Sequence, residues 1–173
     1  MKLREDYRKL HEAGAFGSKT IAQPRFAEPI SKLIESIGAE SVLDFGAGDG
    51  SGWGASKLLK PVKERLGDKL VFYDPGVPAH DKLPDGKFDV VTCVDVIEHV
   101  PEDEVDEVLR DIFSRTRFMV ILTFCPRGSR KKLPSSGADV HVTQKPRKWW
   151  ESRITTVNST MSPPVPWYLF ENP

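Results

Sequence analysis

From Ser41 to Gly52 the chain reads SVLDFGAGDGSG. A short apolar strand, Val42-Leu43, runs into an acid, Asp44, and then into a turn with glycine at 46, 48, 50 and 52, followed by a helix-like stretch. Glycine brings no β-carbon and tolerates positive φ, so glycines between a strand and a helix mark a backbone that approaches a bound molecule, typically a nucleotide. The same residues also serve as plain tight turns, and the neighbouring segments must separate the two readings. A dinucleotide fingerprint is not met, because counting from Gly46 and Gly48 the third glycine position falls on Ser51. A phosphate-binding P-loop is not met either, since its lysine is missing.

Around this loop, helix and strand patterns alternate. Phe26, Ile30, Leu33, Ile34 and Ile37 share one helical face after Pro24, with Gly38 as the stop. After the loop, Trp53 to Leu59 reads as a helix that Pro61 interrupts, with a further short turn over Val62 to Gly67. Leu70 to Tyr73 reads as a second strand and ends at Asp74. Phe88 to Val96 is a nearly continuous run of β-formers, as in a central parallel strand covered on both faces. Glu102, Asp103 and Glu104 then open a helix with the stripe Val105, Val108, Leu109, Ile112 and Phe113, where negative charge offsets the helix dipole. Phe118 to Phe124 is another buried strand, and Arg147 to Ile154 an amphipathic helix whose tryptophans enter the core. Ile154 to Thr160 and Trp167 to Phe170 read as two closing strands.

A chain of 173 residues, 39% hydrophobic and 29% charged, has room for one domain with a substantial core. Lysine plus arginine equals aspartate plus glutamate at 25 each, so any preference for a charged partner must be local. Cys93 and Cys125 lie far apart in apolar surroundings, which predicts neither a disulfide framework nor metal spacing. The charged start, MKLREDYRKL, and the lack of a long apolar run predict no membrane segment and a cytoplasmic protein. Leu3, Tyr7 and Leu10 form a short amphipathic helix in a segment 1–23, ahead of a domain over 24–173.

The pattern Asp44-x-Gly46-x-Gly48-x-Gly50 resembles the first motif of the class I S-adenosylmethionine-dependent methyltransferases. Val94 to Pro101, VDVIEHVP, is similar to the fourth-strand motif of the small-molecule enzymes of that family. Together with Asp74 these motifs stand in the family's order over residues 41–101. The resemblance implies a doubly wound, mostly parallel, Rossmann-like sheet that binds S-adenosylmethionine. It implies that the loop holds the cofactor's amino-acid part, with Asp44 on the ammonium group and Asp95 also facing the cofactor. Asp74, 24 positions after Gly50, is implied to accept from the ribose hydroxyls, although Asp74-Pro75-Gly76 would also make an acceptable turn without a ligand. Asp81 stands where a family carboxylate often meets the adenine amino group, and is equally a solvated loop aspartate. The residues over 13–20 resemble a lid, and the family's end implies an antiparallel pair at the sheet edge. The chain departs from the pattern where only 13 residues separate Asp74 from Phe88, which predicts a shortened or absent third-strand region.

On the acceptor side, His99 and His141 are the candidate general bases, because imidazole suits proton removal near neutrality. Arg127, Arg130, Lys131 and Lys132 follow a strand whose carboxyl end opens on the site; Arg127 and Arg130 are the candidates to bind an anionic acceptor, or else they only solvate a loop. The Asn/Asp-Pro-Pro-aromatic motif of exocyclic-amine enzymes and the Pro-Cys nucleophile of cytosine-C5 enzymes are missing, which makes nucleic acid a poor candidate. The expected function is methyl transfer to a small molecule or saccharide. The rivals are a non-catalytic S-adenosylmethionine-binding partner or sensor, and a nucleotide-dependent oxidoreductase.

Overall fold

A computed structural model describes residues 2–16 and 20–172, so the expected lid over 13–20 lies partly outside the described residues. Five strands form one sheet in the order β2-β1-β3-β4-β5: β1 (Val42–Phe45), β2 (Leu70–Tyr73), β3 (Phe88–Cys93), β4 (Thr116–Phe124) and β5 (Trp167–Glu171). Every pairing is parallel, with Val42 opposite both Leu70 and Val90 and with Val120 opposite Trp167. All six residues of β3 are buried, which explains its unbroken run of β-formers. Because β2 and β3 flank β1 on opposite sides, the sheet changes direction at β1, and a crevice opens there at the carboxyl ends of the strands.

Helices cover both faces. On one, α2 (Pro24–Ser36), α3 (Ser51–Ala55) and α4 (Lys60–Leu66) bury Phe26, Ile30, Ile34, Trp53, Val62 and Leu66 against Val42, Val90 and Ile121. On the other, α5 (Val105–Ser114) and α6 (Arg147–Asn158) bury Leu109, Phe113, Trp150 and Ile154 against Leu43, Val91 and Leu122. A further helix, α1 (Arg4–Glu12), packs Tyr7 and Leu10 against Leu133 and Val140. Among the described residues no helix is long and apolar enough to cross a membrane.

Three local expectations are corrected. Pro61 does not merely interrupt a helix; it stands in the first turn of α4, where its missing N–H costs nothing and its fixed φ suits the helix. The β-branched run Ile154 to Val157 is not strand but part of α6, because Trp150, Ile154, Val157 and Asn158 are the buried residues and recur at helical spacing. The closing antiparallel pair is therefore not found, and β5 runs parallel to β4 with α6 as the crossover that parallel neighbours require. Asn158 fixes the return: its side-chain amide donates to Val165 O at 2.8 Å and its carbonyl accepts from Val165 N at 2.9 Å. No strand lies between Tyr73 and Phe88; tight turns with bonds from Val77 N to Asp74 O and from His80 N to Val77 O occupy the region, matching the shortened segment.

Candidate active site

The crevice at β1 is a pocket floored by Asp44, Gly46, Ala47, Gly48, Asp74 and Asp95 and roofed by Tyr7, His11 and Phe16. Gly46 has φ +83°, and a β-carbon there would collide with the side chain of Val96. Gly50, with φ +69°, does not line the pocket; a β-carbon on it would lie 2.6 Å from the ring of Phe72, so its demand is packing. The alternating glycines thus divide the work, with Gly46 and Gly48 at the pocket and Gly50 at the start of α3.

Asp44 is buried at the end of β1, accepting from Trp53 Nε1 at 2.8 Å and Thr92 Oγ1 at 2.8 Å. Burial pushes its carboxyl up to about 6, against the pull of those two donors. Asp74, at the end of β2, accepts from the N–H groups of Gly48 at 2.9 Å and Gly76 at 2.8 Å, and His11 Nε2 stands 3.6 Å from its Oδ2. Asp74 therefore ties the glycine loop, the turn after β2 and α1 together at one carboxylate.

Asp95 lines the pocket with φ +55°, a left-handed backbone uncommon for a residue with a side chain. Its carboxylate turns toward β4 and β5, accepting from Thr123 Oγ1 at 2.8 Å and Asn172 Nδ2 at 2.5 Å. Asp81 does not line the pocket; its carboxylate pairs with Arg4 of α1 at 2.5 Å.

At the far end of the pocket, which His99 lines and His141 does not, the structure brings together these two histidines, distant in sequence. The rings of His99 and His141 lie 4.7 Å apart and perpendicular. Each Nδ1 meets a backbone carbonyl, Val140 O at 3.0 Å for His99 and Arg127 O at 2.6 Å for His141. A carbonyl only accepts, so each Nδ1 is the donor, and in the neutral form of either ring the lone pair stands on Nε2. Burial pushes the His99 imidazole down to about 3, with His141 adding to the effect, so His99 is a neutral and weakly basic group near pH 7.

Arg127 and Arg130 are exposed and outside the pocket lining. The member of the basic run that reaches the roof is Lys131, whose ammonium lies 4.6 Å from the ring centroid of Phe16 and whose pKa burial lowers. Sequence reasoning missed Lys131 as the distinctive member of the basic run, and missed the role of Tyr7 and His11 in the roof. Glu98, missed as well, carried one visible signal: it is a carboxylate directly after the apolar pair Val96-Ile97 and beside His99.

Residues 12–163 match the family model described as a methyltransferase domain. No curated protein matches the chain. Among solved structures the chain is similar to an O-methyltransferase family protein from Burkholderia thailandensis, with 17% identity and a TM-score of 0.43 over 80% of this chain and 52% of that one. The chain thus spans about half the length of that protein, the share being 52%. The cofactor that a class I domain implies is S-adenosylmethionine, and the pocket fits it: Gly46, Ala47 and Gly48 bring the loop backbone to its lining, and two buried carboxylates, Asp44 and Asp74, stand at the ends of adjacent strands. With the match covering most of its length and the parallel sheet placing the glycine loop at the switch point, this chain belongs to the methyltransferase-domain family.

Proposed function

We propose that the protein is an S-adenosylmethionine-dependent methyltransferase acting on a small-molecule or saccharide acceptor that carries negative charge. The observation that carries the reading is the pocket at the switch point, with Asp44 and Asp74 at the ends of β1 and β2 on either side of Gly46 and Gly48. The bound cofactor supplies a methyl group already activated by its sulfonium, so the protein has mainly to align and enclose. Asp44 faces the cofactor's ammonium group, and Asp74 accepts from ribose hydroxyls. Asp95 shapes the wall between cofactor and acceptor through its constrained backbone. The roof of Tyr7, His11 and Phe16 excludes water, and His99 lines the acceptor end with His141 packed against its ring.

The basic run from Arg127 to Lys132 supports an anionic acceptor, because it sits beside the His141 end and its arginines are exposed to incoming solutes. Calorimetry with S-adenosylhomocysteine, NAD and NADP tests the cofactor: tight binding of the first alone is expected, and Asp74→Ala should weaken it by about 1–3 kcal/mol. Methyl transfer to a panel of metabolites, glycans and oligonucleotides tests the acceptor. Binding of S-adenosylhomocysteine with no transfer to any of them favours the sensor reading. Once an acceptor is known, replacing Arg127 and Arg130 with alanine should raise its KM more at low salt than at high salt, without moving cofactor affinity.

A further inference from the structure

We propose that Glu98, His99 and His141 bind one divalent first-row transition-metal ion, such as zinc, manganese or cobalt, at the acceptor end of the pocket. One donor atom from each of the three lies within 4.8 Å of the others. Donors on such an ion sit at about 2.0–2.2 Å from it, so the side chains need to close by roughly an ångström to share one. The segments that bring them together are stitched firmly. Thr143 N donates to Glu98 O at 3.0 Å, Thr143 Oγ1 to Val100 O at 2.6 Å, and Tyr7 reaches His99 O at 2.6 Å.

The hydrogen-bond pattern is that of a metal site. Both histidines donate Nδ1–H to a backbone carbonyl, which fixes the tautomer and leaves Nε2 free, the arrangement that orients metal-bound imidazoles. The carboxylate gives an independent indication. Glu98 is 0% exposed; its Oε1 accepts from Cys125 N at 2.9 Å, and its Oε2 is buried with no hydrogen-bond partner. Protonating Glu98 removes the charge but leaves a buried O–H without an acceptor, whereas a cation satisfies the oxygen directly. Two imidazole nitrogens with one carboxylate oxygen favour a borderline transition metal over magnesium or calcium, which prefer all-oxygen sets. Asp95 is occupied by Thr123 and Asn172 and stays outside the donor set.

The sequence predicted no metal because Glu98 and His99 are adjacent while His141 stands 42 positions later, with no ligand spacing to read. His99 lines the pocket, so an ion bound to it would stand beside the acceptor end. Resting on the methyltransferase reading, the ion would hold an acceptor oxygen and lower the pKa of its hydroxyl; the released proton would pass to solvent, and the oxygen would take the methyl group as the sulfonium S–C bond breaks and S-adenosylhomocysteine leaves as the neutral thioether.

The test uses the full chain after chelator treatment, titrated with zinc chloride by calorimetry and with cobalt chloride by visible absorption. One equivalent should bind, with cobalt d–d bands typical of nitrogen and oxygen ligands. Glu98→Gln, nearly isosteric, and His141→Ala, at a less buried position, should each weaken binding by more than about 10-fold while circular dichroism stays unchanged. His80→Ala, remote from the cluster, should leave it intact. Absence of uptake by the parent chain, or uptake that survives both substitutions, overturns the site. S-adenosylhomocysteine titrations of the same samples separate the two proposals. Cofactor binding without metal uptake overturns only the metal site, and metal uptake without cofactor binding overturns only the methyltransferase reading.

Discussion

At Asp44, burial and binding pull the same carboxyl in opposite directions. Burial raises its pKa from 3.8 to about 6, so in the ligand-free protein the folded state holds the proton more tightly than the unfolded chain does. That proton-linked stabilisation is fully present below the unfolded value and is lost as pH rises through the folded one, amounting to ~3 kcal/mol by linkage. A cofactor ammonium reverses the preference, because it favours the carboxylate. Affinity for S-adenosylhomocysteine should therefore fall as pH drops below the raised pKa of Asp44 and level off above it. Asp44→Asn should flatten that step; a step of the same size in the variant would assign it to another group. The place of this residue was legible in the sequence, since an acid ending an apolar strand before glycines stands where the strand meets the pocket. The companions that fix its two oxygens, Trp53 and Thr92, were not, because one comes from the next helix and the other from a neighbouring strand.

Polar ties hold α1 to the rest of the domain. Tyr7 Oη donates toward His99 O at 2.6 Å and Val140 O at 3.3 Å, the carboxylate of Asp6 accepts from Ser135 N at 2.8 Å and Oγ at 2.6 Å, and Arg4 pairs with Asp81. These ties hold the roof over the pocket, and His11 reaches Asp74 from the same helix. Tyr7→Phe removes the hydroxyl and keeps the ring, at a cost of about 0.5–1.5 kcal/mol. Most of that loss should appear as local opening. Amide exchange across α1 should quicken while β3 and β4 stay protected; uniform quickening would mean that α1 opens only with the whole domain. The elements whose apolar period is unmixed, such as α2 and β3, could be read from sequence. The end of α6 could not, because Ile154-Thr-Thr-Val157 has strand composition and only burial on the sheet selects the helical period. Nor could the direction of β5, which depends on how far α6 extends before the chain returns.

For the whole molecule, the decisive feature is that one sheet separates two apolar layers that share no helix. Trp150 and Ile34 are both fully buried, the first under α6 on one face and the second under α2 on the other. Alternating α and β patterns made this layered class legible, whereas the strand order was not, since the few residues between Tyr73 and Phe88 leave no local sign of which side of β1 the next strand takes. Truncating Trp150 to alanine should cost about 3–5 kcal/mol and Ile34 to alanine about 2–5 kcal/mol, each a large part of the ~5–15 kcal/mol that holds an ordinary domain. If the strands couple the layers, both variants unfold in a single transition, seen alike by tryptophan fluorescence and far-ultraviolet circular dichroism. The pocket lies at the ends of strands that both layers cover, so its ligand should report on either face. S-adenosylhomocysteine at a hundred times its Kd should return about 2.7 kcal/mol to each folded variant. Separated transitions in either variant, or recovery confined to one of them, would show that the faces fold as independent layers and that the sheet does not carry stability between them.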